Sequence, residues 1–336
     1  MKYIKYIIPI FLVSLFLFLR FYNIKNGLFL FNDMGRDLLV LQKWQETGKP
    51  PLLGPQTSVM PFNQSAIFYY FLYPFYLFSQ GSPFSALLAN TFLYLSIYLT
   101  GLFVFKKNNQ ITDTINFCFF LICIHPQYII QNRFVWNPSL VTPLIFISIF
   151  SFYLLLNQYS KIKLWLFSLS LALAISFSYS TIPIFLALFL YWLFFNRKKF
   201  FQIFLSFTTS LFVINLPTII FEIRHNFLLS KNVFINKLTD TTGTSIVNKF
   251  SNLSNFTINL PISSVNFYLL ILFILLSIII FLKNYHNRQL QFLISFLFFS
   301  TIIFYFILPI PIHSHYIFPL TSTLFLLISN LSFLYK

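Results

Sequence analysis

Long, nearly uncharged apolar runs divide this chain, and they constrain its fold more than any other feature. They fall near 6–22, 84–105, 112–130, 138–157, 163–179, 181–195, 200–221, 265–282, 289–308 and 315–335. A helix of about 20 apolar residues crosses roughly 30 Å of hydrocarbon. The expectation is therefore an all-α, polytopic transmembrane bundle of about ten spans. Composition agrees: 58% of residues are hydrophobic and 8% charged, which a soluble globule does not show. The run at 181–195 is short and is expected to pair with 163–179 as a tight hairpin through Ser178-Tyr179-Ser180-Thr181. A further run, 66–79, is brief and contains Pro74.

A net charge of +16 suggests nucleic acid at first sight. The basic residues, however, are short clusters between apolar runs, the positive-inside pattern, and nucleic acid is excluded as a partner. If 66–79 does not cross, then Lys2/Lys5, Lys106/Lys107, Lys161/Lys163, Arg197/Lys198/Lys199, Lys283/Arg288 and Lys336 share one side, the cytoplasm. Counting 66–79 as a span would invert everything after it. It reads instead as a re-entrant or interfacial element on the outer side. Both termini are then cytoplasmic, in a multi-pass protein of the plasma or inner membrane. No small-residue cleavage site follows the first run, so it reads as a retained anchor. Cys118 and Cys123, five apart on one run, read as buried thiols. The chain reads as a single transmembrane domain over 1–336 with no soluble domain.

This topology sorts the scarce ionisable residues. The outer side receives the loop 23–83, the link around Arg133-Phe134-Val135-Trp136, the loop 222–264 and the link 309–314. All the acids but Asp113 fall there: Asp33, Asp37, Glu46, Glu222 and Asp240. So do His225, His313 and His315, with His125 near the outer end of its span and His286 on the cytoplasmic side. A membrane protein this poor in carboxylates has little reason to gather them at one face unless charge is used there. In the first loop, Met34, Leu38, Leu41 and Trp44 recur at helical spacing, with Arg36, Lys43 and Glu46 off the stripe. This predicts an amphipathic interfacial helix, capped by Asn32 or Asp33 and ended by Gly48 before Pro50-Pro51. Leu53-Gly54-Pro55 is expected to turn the chain. Tyr69, Tyr70, Tyr73 and Tyr76 form an aromatic face on 66–79, and 239–257, rich in Ser, Thr and Asn, reads as mobile.

Asp33, Arg36 and Asp37 lie within one helical turn. Asp33 is the candidate general base, beside an arginine able to neutralise phosphate; the plainer alternative is an N-cap with a local ion pair. Phe221-Glu222-Ile223-Arg224-His225 offers phosphate binding through Arg224, or an interfacial anchor. Glu222 and His225, three apart, are candidate ligands for a divalent metal, but two ligands do not make a site and no metal is assigned. His313-Ser314-His315-Tyr316 opens the last span, where polar capping is the simpler reading. Trp136-Asn137-Pro138-Ser139 is a helix start with Asn137 as cap, and Trp136 is an aromatic-belt residue or a sugar-stacking surface. No P-loop, dinucleotide fingerprint, paired CxxC or nucleophile elbow occurs, so no cofactor beyond such a metal is implied.

In this order and on one side, the segments Asn32–Asp37, Leu53–Pro55, Tyr69–Tyr70, Trp136–Pro138, Phe221–His225 and His315–Tyr316 resemble those of the GT-C membrane glycosyltransferases. The similar branch holds the protein mannosyltransferases and the lipid A aminoarabinose transferase, including the bacterial family 39 and Rgt-like members. The resemblance spans nearly the whole chain. It implies transfer of a sugar from a polyprenyl-phosphate donor to a hydroxyl of a lipid, glycan or protein acceptor at the outer face of the membrane. Asp33 would act on the acceptor hydroxyl and Arg36 on the lipid phosphate. Asp37, Tyr69, Tyr70, Trp136, Glu222, His225, His315 and Tyr316 would line the substrates. Two departures stand out: Asp33-Met34 where many relatives have Asp-Glu, and Gln64-Ser65 where many have Lys-Pro. The second leaves Arg224 as the substitute phosphate contact. The rival reading is a lipid or polysaccharide transporter or flippase. Transporters usually place ionisable residues mid-span, whereas here nearly all sit at span ends, Arg20 and His125 being partial exceptions.

Overall fold

The computed structural model describes residues 4–28, 32–57, 63–133, 136–195, 199–235, 246–284, 289–307 and 312–331. Asp240 and His286 lie outside them, as does the side chain of His315. The first helix, α1 (Ile4–Phe21), is followed by a single turn, α2 (Ile24–Gly27), and by α3 (Asn32–Thr47). A two-stranded antiparallel sheet, β1 (Leu53–Gln56) with β2 (Asn63–Ser65), leads into α4 (Ile67–Phe78). Then come α5 (Phe84–Phe105), α6 (Asn109–Ile124), α7 (Pro126–Gln131), α8 (Val141–Asn157), α9 (Lys161–Phe177) and α10 (Ile182–Phe195). The remainder is α11 (Phe200–Ile214), α12 (Leu216–Arg224), α13 (Leu228–Ile235), α14 (Ile246–Ile258), α15 (Ser263–Asn284), α16 (Gln289–Ile307) and α17 (Phe318–Leu331). Single 3₁₀ turns at Asn137–Leu140, Tyr179–Thr181 and Ser314–Tyr316 precede α8, α10 and α17.

Among the described residues, every apolar run predicted to span is largely helical. Four helices are individually long and apolar enough to cross a membrane: α5, α8 with its 3₁₀ turn, α15 and α16. The pair α11 and α12 passes together across a 64° bend. The shorter apolar helices include α1, α6, α10 and α17. The core lies where α8 and α17 meet, both buried along most of their length. Small hydroxyl residues let these helices approach, and the Tyr128 and Ser322 hydroxyls bond to Thr142 at 2.9 and 3.2 Å. Outward faces stay apolar: on α15, Tyr268, Leu272, Leu275, Ile279 and Leu282 are exposed at helical spacing, as a lipid-facing surface requires. Cys118 and Cys123 are free and buried.

Several local expectations are corrected. The 200–221 run is not one straight helix. It breaks at Asn215, because Pro217 has no N–H to continue the ladder and α12 restarts with that proline in its first turn. The 112–130 run breaks at His125 before Pro126 for the same reason. The principal neighbour of α10 is α16, not α9, through Tyr191 and Phe195 against Phe292 and Phe296. Residues 246–258, expected to be mobile, form α14; Leu253, Ser254 and Thr257 are buried, and Phe250 packs on Phe267 and Phe306. Leu53-Gly54-Pro55 is not a turn but strand β1. Gly54 is required there: a Cβ would stand 2.2 Å from the Ser65 carbonyl oxygen across the sheet.

Of the two exceptional groups near span ends, Arg20 is fully buried and has a structural role. Pro126 cannot donate to the Ile122 carbonyl, four residues back, and Arg20 supplies the missing donors. Its Nη2 reaches Ile122 O at 2.6 Å and its Nη1 reaches Cys123 O at 2.8 Å, with no part of Arg20 exposed. In turn, Arg133 Nη2 donates to the carbonyls of Leu19 and Tyr22 at 2.7 and 3.0 Å. The C-terminal carbonyls of α6 are thus closed by an arginine of α1, and those at the end of α1 by Arg133, just beyond α7. His125, at the break, lies against Tyr128 and Phe325.

One end of the bundle carries a layer of short elements. The Tyr70 hydroxyl donates to Pro51 O at 2.9 Å and the Tyr179 hydroxyl to Asn63 O at 3.3 Å. Tyr94 donates to Ser139 O at 2.8 Å. Tyr305 donates to Ser180 O at 3.3 Å and also to Tyr316 O. Asn137 does not cap its helix; its Nδ2 donates to Phe177 O at 2.5 Å. The hairpin, α3, α4 and all three 3₁₀ turns are thereby joined at this end.

Candidate active site

The interfacial helix α3 runs from Asn32 to Thr47, and Gly48, at φ +66°, ends it. Met34 and Leu41 are fully buried on its inner side, and Trp44 stacks on Tyr73 of α4 at 3.8 Å and 10°. This packing fixes which way the first turn points. Asp33 and Arg36, three apart, share a face that reaches solvent: their side chains are 52% and 38% exposed. Asp37 lies on the buried side at 0%.

Arg36 joins the two acids. Its Nη1 donates to Asp33 Oδ1 at 3.1 Å and its Nε to Asp37 Oδ1 at 2.9 Å. The same Asp37 oxygen accepts the Tyr69 hydroxyl from α4 at 2.7 Å, while Asp37 Oδ2 is buried without a partner. Burial pushes the Asp37 carboxyl above its ordinary value, and bonds from Arg36 and Tyr69 offset this only in part. Burial would lower the half-buried Arg36 guanidinium, but its contacts with Asp37 outweigh that and hold it charged. Burial, then the neighbouring carboxylate, raises the Tyr69 phenol well above its usual range, so it remains a donor.

The structure therefore gathers Asp33, Arg36, Asp37 and Tyr69 and separates the other candidates from them. Asp37 and Tyr69 face inward, positions from which they support neighbours rather than line a substrate surface. Tyr70 holds the hairpin through Pro51. Trp136 is half-buried, and the adjacent Ser139 N–H donates to its carbonyl, in the 3₁₀ turn that packs against Ser314–Tyr316, where Tyr316 is buried. Glu222 caps α13: its carboxylate accepts the Leu229 and Ser230 N–H groups at 2.8 and 3.0 Å and the Ser230 hydroxyl at 2.5 Å. The small burial of Glu222 raises its carboxyl, but these bonds outweigh it and lower the net value. His225 stacks on Phe221, ring centroids 4.0 Å apart, and its Nδ1 lies 2.9 Å from Phe221 O. The pair proposed as metal ligands is thus committed to helix ends, and among the described residues no group of three or more His, Cys, Asp or Glu gathers. Arg224 is exposed on α12, which rests on β1, and Thr218 of the same helix bonds to Leu52 O at 3.4 Å.

Sequence reasoning did not anticipate a cleft of about 390 Å³ between α9 and α11, beside the bend at Asn215. Ile175, Leu211, Phe212 and Ile219 line it, with Ser176 and Asn215 bonded to each other at 3.0 Å. Its Tyr179 connects directly to the hairpin. Pro217 marks the break in the span beside it but does not by itself announce a cleft.

This polytopic helical bundle, with a first helix followed by interfacial helices, a hairpin and a charged cluster, has a fold found in solved structures. Two crystal structures of ArnT from Cupriavidus metallidurans share it. The apo form superposes with a TM-score of 0.66 at 12% identity, covering 95% of this chain and 58% of that one. The form bound to undecaprenyl phosphate gives 0.65 at 12% identity, covering 95% and 59%. This chain therefore spans less than two thirds of the length of those proteins, and the likeness is one of fold. No protein family and no curated protein matches the sequence.

Proposed function

We propose that this chain is an integral membrane glycosyltransferase. It moves a sugar from a polyprenyl-phosphate donor to the hydroxyl of a lipid, glycan or protein acceptor at the outer face of the plasma or inner membrane, with both termini cytoplasmic. The observation that carries this reading is the pairing of Asp33 with Arg36 on a solvent-facing turn of an interfacial helix. It is supported by a largely apolar cleft at the same end of the bundle and by the undecaprenyl phosphate in one structure of the same fold.

The chemistry follows from the groups. The acceptor oxygen attacks the anomeric carbon as its proton passes to the Asp33 carboxylate. The bond from that carbon to the phosphate oxygen breaks, and its electron pair leaves with the polyprenyl monophosphate. The leaving group gains one negative charge, which Arg36, with Arg224 as a second cation, stabilises without any nucleotide fold. Single displacement inverts the anomeric centre. The prenyl chain lies in the apolar cleft while its phosphate reaches the polar layer above.

The test is transfer of radiolabel from polyprenyl-phosphate sugars to a membrane extract by purified protein. Wild type is expected to transfer, and Asp33→Asn to lose about 10²–10⁴-fold in rate. Equal transfer by Asp33→Asn removes the base.

A further inference from the structure

Arg36 holds its two carboxylates unequally, and the difference bears on when Asp33 can work. At the stem of the guanidinium, Nε bonds to a fully buried carboxylate that Tyr69 also holds. At its tip, Nη1 bonds to a half-exposed one. Adjacent residues on a helix do not face each other, so the Arg36 side chain must fold across its own turn to meet both. An exposed ion pair of this kind is readily exchanged, whereas a buried charge that loses its partner is strongly disfavoured. The stem bond therefore persists while the tip is free to turn about it.

We infer that Asp37 and Tyr69 form a pivot for Arg36, and that Arg36 masks Asp33 until a phosphate monoester or diester draws the guanidinium tip away. This rests on the donor reading above and adds an order to it: the lipid phosphate arrives first, and only then does the guanidinium tip uncover Asp33 for the acceptor hydroxyl. While Nη1 occupies Asp33 Oδ1, that oxygen is engaged and the guanidinium stands between it and an incoming hydroxyl. The same phosphate that brings the sugar thus removes the obstacle to using it, and solvent water meets a masked carboxylate in the resting enzyme. Asp37 is a positioning residue in this scheme, since it is buried beneath Arg36 and touches no substrate.

The test is a brief carbodiimide pulse on purified protein, with modification at Asp33 read by mass spectrometry and undecaprenyl phosphate as the probe. Thermal shift reports lipid binding in parallel. Wild-type labelling is expected to rise several-fold when the lipid is added. Arg36→Gln is expected to label at the higher level without lipid. Asp37→Leu is expected to do so in part, while Asp37→Asn, which keeps an oxygen for Nε and for Tyr69, stays near wild type. A stabilising shift by the lipid with unchanged Asp33 labelling overturns the mask and leaves the donor reading standing. No shift and no change in labelling overturns both. Unchanged labelling in Arg36→Gln overturns the mask by itself, whether or not Asp37→Leu folds.

Discussion

Asp37 is a carboxylate removed from water, with one oxygen shared by two donors and the other left unbonded. Its proton affinity in the folded protein lies above its ordinary value of 3.8. Between that value and the folded one, the native state holds a proton that the unfolded chain has released. The stability contributed by this group is thus full below the lower value and declines as pH rises to the upper one. Asp37→Asn cannot titrate, and its thermal unfolding in detergent is expected to show a flatter pH dependence above about pH 4 than wild type. An identical slope would mean that Asp37 is not desolvated. At this scale the sequence was partly legible. Asp33 and Arg36, at i and i+3, announce a pair by spacing alone. Asp37 stands three after Met34 and four before Leu41, so the same spacing sets it on the buried stripe; what no local pattern announces is its partner, a tyrosine 32 positions away.

Helix ends carry the element-scale argument. Arg20 lies within an apolar span, where a cation invites a transport reading, yet its guanidinium closes two carbonyls that Pro126 and the start of α7 leave open. Arg20→Leu is expected to destabilise the protein by about 1–3 kcal/mol for each carbonyl left unbonded, read as a lowered midpoint of thermal unfolding in detergent. A midpoint equal to wild type would show that other donors reach these oxygens. The helices themselves were legible because membrane spans advertise themselves by length and apolarity. Their interruptions were less so: a proline marks where a ladder can fail, as at Pro126 and Pro217, but not how far the chain then bends. Strand β1 was misread because Leu53-Gly54-Pro55 contains turn-forming residues, while the contact that demands Gly54 lies across the sheet at Ser65. Helix α14 was missed because Ser and Asn obscured the stripe of Phe250, Leu253 and Thr257.

Over the whole molecule, a polar and an apolar surface meet at one end: the charged turn of α3 and the cleft between α9 and α11 are connected through α4 and the hairpin. Thr208 lines that cleft from α11. Thr208→Trp is expected to raise KM for a long-chain polyprenyl donor by about tenfold with kcat little changed, and to affect a short-chain donor less. Equal effects on both donors would place the tail elsewhere. No sequence pattern revealed this cleft, since its walls come from spans separated along the chain. The layer above the cleft has a further consequence. Its turns are tied down by phenols that bond to main-chain oxygens, at Pro51, Asn63, Ser139, Ser180 and Tyr316. An amide oxygen is the same whichever residue bears it, so the receiving positions are free to change identity while the architecture stays put. A chain built this way can change letter by letter at those positions and keep the same layer.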